Sequence, residues 1–311
     1  MKRIIITEEQ YKKYLLQEDM GVSDEVMEIS RIIVEKLRNR LPAFNKESQK
    51  EAEYSSTFAE TIRNYSFIGE LSIYYTFIKS EENVGYSNRS AHIDVSNAEI
   101  ISNTKQIIGC KIHLSIPIVN GDIYPSSLGS ISHEITHLYQ LYMRLIKGYG
   151  NKVIGKSVNL KVNRNLYDFT IKYFSNCKSN TIEFAIYLII HQSFQNEINS
   201  DVNGLYALLT DYVNKTPNIS KQDLLTYYEK SNFYLTNNRI TFFINEFKKF
   251  IDKGDVYGEE YGFKEIFDFM SKNGFPMNLE SLMQIGENGL AYINNKYYRV
   301  IQKIITDNNL I

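Results

Sequence analysis

The chain has 311 residues, 43% of them hydrophobic and 23% charged, and a formal net charge of −1. That is the balance of a globular protein able to bury a core, and a charge so close to zero supplies no general attraction to nucleic acid or to an anionic membrane, so neither is an expected partner. Cys110 and Cys177 are its only cysteines, too few for a disulfide framework and in keeping with a reducing compartment.

In chain order, Ile4 to Ile6 fits a short strand, and Thr7 with Gln10 makes a capping box for a helix through Leu16. The start is basic, but its apolar run stops after three residues and Glu8 and Glu9 follow, which is unlike a secretory signal. No stretch approaches the roughly 18 apolar residues of a membrane helix, and the expected location is the cytoplasm. The opening Ile-Ile-Ile-Thr-Glu-Glu-Gln-Tyr resembles the start of many small proteins of bacteriophages that infect gut bacteria, which implies a phage-encoded chain. Ser23 caps a second helix, whose Val26, Ile29, Ile33, Leu37 and Leu41 share one face and which Pro42 should end. Lys46 to Asn64 is polar and reads as helical, with Glu51, Glu53 and Glu60 on a solvated face.

From Phe67 to Ile118 the residues become β-branched and aromatic, which predicts strands at Leu71 to Ile78, Ala91 to Val95 and Ile107 to Ile118. Pro117 lacks a ladder donor, so the last of these reads as an edge strand. His113 on that strand is a candidate to face a cleft.

After Pro125 comes Ser132-His133-Glu134-Ile135-Thr136-His137-Leu138, an H-E-x-x-H pattern inside a helical segment. Residues four apart on a helix stand one above the other, so His133 and His137 can reach one metal ion, and Glu134 would lie beside it as a general base for a metal-activated water. Ser126, Ser127 and Ser130 offer N-caps upstream, and Ile131, Ile135, Leu138, Tyr142 and Leu145 recur at core-facing spacing. Lys147-Gly148 should stop the helix.

A tetrahedral catalytic zinc needs a third protein ligand, usually Glu, His or Asp. Helical pattern resumes at Thr181 and leads into Asn196-Glu197-Ile198-Asn199-Ser200-Asp201. Glu197 and Asp201 are four apart on one face, so Glu197 could complete the ligand set while Asp201 accepts the outer N–H of a liganding histidine. His191 and Asp201 are the alternative ligands.

These two stretches together resemble the paired motifs of the gluzincin metallopeptidases, the thermolysin-like enzymes in particular. The resemblance is confined to them, and the gap between them is far longer than in thermolysin. It implies zinc bound by His133, His137 and Glu197, Glu134 as catalytic base, Asp201 as support for a histidine, and a peptide or protein as substrate. The metzincin pattern is excluded, because Gln140 and Met143 stand where it needs Gly and His. Thermolysin-like enzymes also stabilise the transition state with a later histidine, and this chain has none after His191. A tyrosine or arginine would have to substitute. Tyr257 and Tyr261, beside Gly254, Gly258 and Gly262, are the candidates, with His113 in reserve.

The C-terminal third reads as helices at Leu224 to Tyr234, Ile240 to Ile251, Phe263 to Met270 and Leu282 to Ile305, with Ser220 and Asp223 opening the first and Gly286 and Gly289 as breaks. The expected fold is therefore α+β: a zincin-like small sheet with an active-site helix, followed by a mainly helical C-terminal half. The expected segments are residues 1–65, a catalytic core at 66–215 and a helical subdomain at 216–311. The expected function is zinc-dependent peptide hydrolysis, with an inactive zincin-like structural or binding protein of a phage or bacterial particle as the rival.

Overall fold

The computed structural model describes residues 23–48, 54–79, 91–147, 157–158, 162–178, 180–259 and 262–310. The expectations at Ile4 to Leu16, Glu51, Glu53, Gly148 and Tyr261 lie outside these residues. The chain is α+β and forms two compact units, each discontinuous in sequence: Met1–Val153 with Asn199–Leu224 and Arg299–Ile311, and Ile154–Ile198 with Leu225–Tyr298.

The first unit opens with helices Asp24–Arg38 (α1) and Leu41–Ser48 (α2). Ser23 caps α1 by accepting from the Val26 N–H, and the face of Val26, Ile29, Ile33 and Leu37 is buried as its spacing predicts. Pro42 does not end this helix. It stands in the first turn of α2, where its missing N–H costs no intrahelical bond.

Of the helix expected across Lys46 to Asn64, Lys46 to Ser48 are helical as the end of α2, whereas strand Ser55–Tyr65 (β1) stands in its later part. It pairs antiparallel with Ile68–Lys79 (β2) from Ser55↔Ile78 to Tyr65↔Ile68. Glu60 and Arg63 gave it a helical composition, whereas Phe58, Glu60 and Ile62 fall two apart on its more buried face and the pairing with β2 decides its conformation. Strands Ala91–Asp94 (β3), Glu99–Ile100 (β4), Ile107–Ile108 (β5), Cys110–Val119 (β6) and Asp122–Ile123 (β7) complete a mixed sheet of order β3-β6-β2-β5-β4, with β1 on β2 and β7 on β6. Gly109, at φ +75°, turns the chain between β5 and β6. The edge expectation for β6 is also corrected: Lys111 to Leu114 pair in parallel with β2 and antiparallel with β3. Pro117 is tolerated because it lies beyond the β3 pairing, where its carbonyl accepts from the Tyr124 N–H at 2.9 Å.

Helix Ser126–Ile146 (α3) carries the H-E-x-x-H sequence. Its N-cap position is Pro125, with no side-chain cap bond, and the three upstream serines sit inside the first turns instead of capping them; Ser130 Oγ bonds the Ser126 carbonyl. Ile131, Ile135, Leu138 and Leu141 are buried in one core with Ile73, Tyr75, Ile112, Leu114 and Ile116 of the sheet and Ile29 and Ile33 of α1. Burial of each such side chain is worth about 1.5–3 kcal/mol, and this packing fixes which face of α3 turns away from the core. Ser30 and Ser132 let α1 and α3 approach closely: the Ser132 hydroxyl donates to Ser30 Oγ at 3.0 Å, and the Ser30 hydroxyl donates to the Val26 carbonyl at 2.6 Å.

The second unit is helical apart from a single bridge, Ser157↔Phe194, among its described residues. Helix Arg164–Phe174 (α4) starts at the N-cap Asn163, helix Ile182–His191 (α5) at the N-cap Thr181. Helix Gln195–Lys215 (α6) begins here and continues into the first unit, where Ala207 joins the sheet core and Asn203 Oδ1 accepts the Ser23 N–H at 3.0 Å. Helices Lys221–Glu229 (α7), Asn232–Asp252 (α8), Phe263–Lys272 (α9) and Leu279–Asp307 (α10) follow. Ser220 and Asp223 open α7 as expected, through reciprocal bonds. The single helix expected from Leu224 to Tyr234 is two, because Ser231 caps a new one by accepting the Tyr234 N–H. Gly286 and Gly289 are not breaks: they lie inside α10, where a Cβ would come within 2.9 Å of Ile244 Cδ1 and 3.2 Å of the Gln192 carbonyl oxygen.

Candidate metal centre

Helical periodicity puts His133 and His137 on the side of α3 opposite the buried Ile131–Ile135–Leu138 stripe. Their Nε2 atoms converge at 3.1 Å, with the rings nearly perpendicular. Two nitrogens each 2.0–2.1 Å from one tetrahedral ion should stand about 3.3 Å apart, so the pair is spaced as zinc requires.

The outer nitrogens are held from α6. His133 Nδ1 donates to Asp201 Oδ1 at 2.8 Å, with the two side chains only 18% and 12% exposed. A carboxylate can only accept, so the proton belongs on Nδ1 and Nε2 presents its lone pair toward His137. Ser200 Oγ lies 3.3 Å from His137 Nδ1. Ser200 and Asp201 are consecutive on α6, and that one short segment therefore orients both imidazoles.

Glu197 sits one helical turn before Asp201, 4% exposed. One ligand atom from each of His133, His137 and Glu197 lies within 4.8 Å of the others, the only such group of metal-ligating residues found among the described residues. Two imidazoles and a carboxylate are the donor set of a catalytic zinc site, and it fits. Glu134 follows His133 on α3 and is itself buried at 8% exposure.

No family model matches this chain, and no curated protein or solved structure does.

Within the second unit Glu197 is gripped by Tyr167, which the sequence did not single out, together with Asn196 of its own motif and His191, named above as an alternative ligand. Its Oε1 accepts from the Tyr167 hydroxyl at 2.7 Å and from Asn196 Nδ2 at 2.9 Å, and His191 Nε2 lies 3.3 Å from Oε2. The Tyr167 ring stacks on His191 and meets Phe194 edge-on. Burial, and then the Glu197 carboxylate, push the Tyr167 phenol far above its ordinary range, so it stays a donor. The available signal was the N-cap Asn163 followed by Leu166, Tyr167, Phe169, Thr170 and Phe174 at helical spacing.

The other candidates stand elsewhere. His113 is on the face of β6 opposite the buried Ile112 and Leu114, stacked between His92 and Tyr74 across the sheet. It turns away from the core that α3 packs into, contrary to the expectation that it faces a cleft. Tyr257 is 44% exposed and lines a pocket with Glu259, Lys264, Phe267 and Met277, to which no residue of the ligand set contributes.

Proposed function

We propose that this chain is a zinc metallopeptidase of gluzincin type, with His133, His137 and Glu197 as ligands and Glu134 as general base. The observation that carries the reading is the convergence of those three ligand atoms within 4.8 Å, with His133 oriented by Asp201. Zinc held there would lower the pKa of a water toward 7 and polarise a substrate carbonyl. Glu134 would accept the proton of that water and return it to the leaving amine, while Asp201 and Ser200 hold the histidine rings in register. The packing of α3 on the sheet supports a zincin-like arrangement, and β3, which packs against α3 and is outermost on its side of β6 among the described strands, is the strand an extended peptide would join.

The test is peptide hydrolysis by protein of known metal content. Stoichiometric zinc and activity that chelation abolishes and zinc restores are expected. His133→Ala, His137→Ala and Glu197→Ala should each lose the metal. Full zinc retention by Glu197→Ala would refute its role as third ligand.

A further inference from the structure

The carboxylate of Glu197 has two oxygens, and the structure treats them unequally. Oε1 takes two donors, the Tyr167 hydroxyl at 2.7 Å and the Asn196 amide at 2.9 Å. A carboxylate oxygen offers two lone-pair positions, so both positions on Oε1 are filled. His191 Nε2 stands farther off, 3.3 Å from Oε2.

Tyr167 is not a loose donor. Its ring is stacked on His191 at 5.7 Å, set edge-on against Phe194 at 4.6 Å and covered by the Arg164 guanidinium at 4.8 Å. Asn163 fixes the start of its helix by accepting the Leu166 N–H at 3.0 Å. Tyr167, Asn196 and Glu197 are thus one preorganised unit, set up by residues that do not themselves ligate.

From this geometry, and resting on the metal centre proposed above, we infer that Tyr167 is a positioning residue that makes Glu197 a one-oxygen ligand through Oε2. One-oxygen ligation selects the metal. With two imidazoles and one carboxylate oxygen the site is four-coordinate once a water joins, which is the preference of zinc. Calcium needs six to eight oxygens and often takes both from one carboxylate, which an occupied Oε1 opposes. Tyr167→Phe removes one of the two donors, leaves the ring packing in place and lets Oε1 turn toward the ion.

The experiment uses Co²⁺ as a spectroscopic substitute for zinc in the full chain. Its visible absorption is intense in four-coordinate sites and weaker in five-coordinate ones. The unsubstituted protein should give the four-coordinate spectrum. Tyr167→Phe should bind Co²⁺ with a weaker, five-coordinate spectrum and should hold zinc about 10- to 100-fold less tightly, the range typical of losing an outer-shell partner. Asn196→Ala, which removes the other donor to Oε1, should shift the spectrum the same way and guards against a packing defect specific to the tyrosine. Variants that bind Co²⁺ with an unchanged spectrum and unchanged zinc affinity would overturn the role of Tyr167 and leave the metal centre standing. Failure of the unsubstituted protein to bind either metal would overturn the centre, and this inference with it.

Discussion

Asp201 offers the sharpest perturbation that leaves every ligand in place. It accepts from His133 Nδ1 at 2.8 Å, and both side chains are less than a fifth exposed. A hydrogen bond to a charged partner in such a setting contributes about 1.5–3 kcal/mol. At 1.4 kcal/mol per tenfold, that is about 10- to 150-fold in an equilibrium constant, in line with the roughly 10- to 100-fold losses typical when the partner of a liganding histidine is removed. Asp201→Ala should therefore raise the zinc Kd by about 10- to 100-fold, since His133 can then rotate and change tautomer. Asp201→Asn keeps an acceptor oxygen and loses only the charge, so its effect should be smaller. Competition against a chromophoric chelator at fixed pH measures the affinity, and far-UV circular dichroism checks that the helices are intact. A folded Asp201→Ala protein with a zinc Kd within twofold of the unsubstituted one would refute the argument that α6 orients His133.

Gly109→Ala should be severely destabilising: Gly109 has φ +75° and a Cβ there would stand 2.0 Å from the Asn97 carbonyl oxygen, so left-handed strain and overpacking together should cost about 2–5 kcal/mol, read as a fall in the denaturant midpoint. Burial raises the Cys110 thiol to about 12, whereas in the unfolded chain it ionises near 8.5. The folded state therefore holds its proton across that window and unfolding releases it, so this group's contribution is constant below about pH 8.5 and stability falls as pH rises above it. Alkylation at pH 8 should accordingly modify Cys177, which is partly exposed, well before Cys110; equal rates in the folded protein would contradict the buried placement of β6.

The parts legible in the sequence were those set by short-range periodicity. The i,i+4 pairing of His133 and His137 and the core stripe of α3 follow from the pitch of one helix, and so does the one-turn relation of Glu197 to Asp201. Ser23 and the Ser220–Asp223 pair were readable because a cap is a local bond. What failed depended on partners distant in the chain. The strand at Ser55–Tyr65 exists because β2 lies beside it, although Glu60 and Arg63 gave it a helical composition. The interior place of β6 came from its pairing with β3 and β2, which Pro117 alone could not reveal. Gly286 and Gly289 looked like breaks because their reason, close approach to Ile244 and Gln192, lies on segments distant in the chain. Tyr167 was missed for the same reason: 30 residues separate it from the carboxylate it holds.

The central claim is that Glu134 performs proton transfer beside a metal that other residues hold. Its most direct test is Glu134→Gln, with zinc content and peptide turnover measured on the same preparation. Stoichiometric zinc is expected, as in the unsubstituted protein, with turnover reduced by at least about a hundredfold, the lower end of what a positioned general base contributes. Undiminished turnover with zinc bound would contradict it.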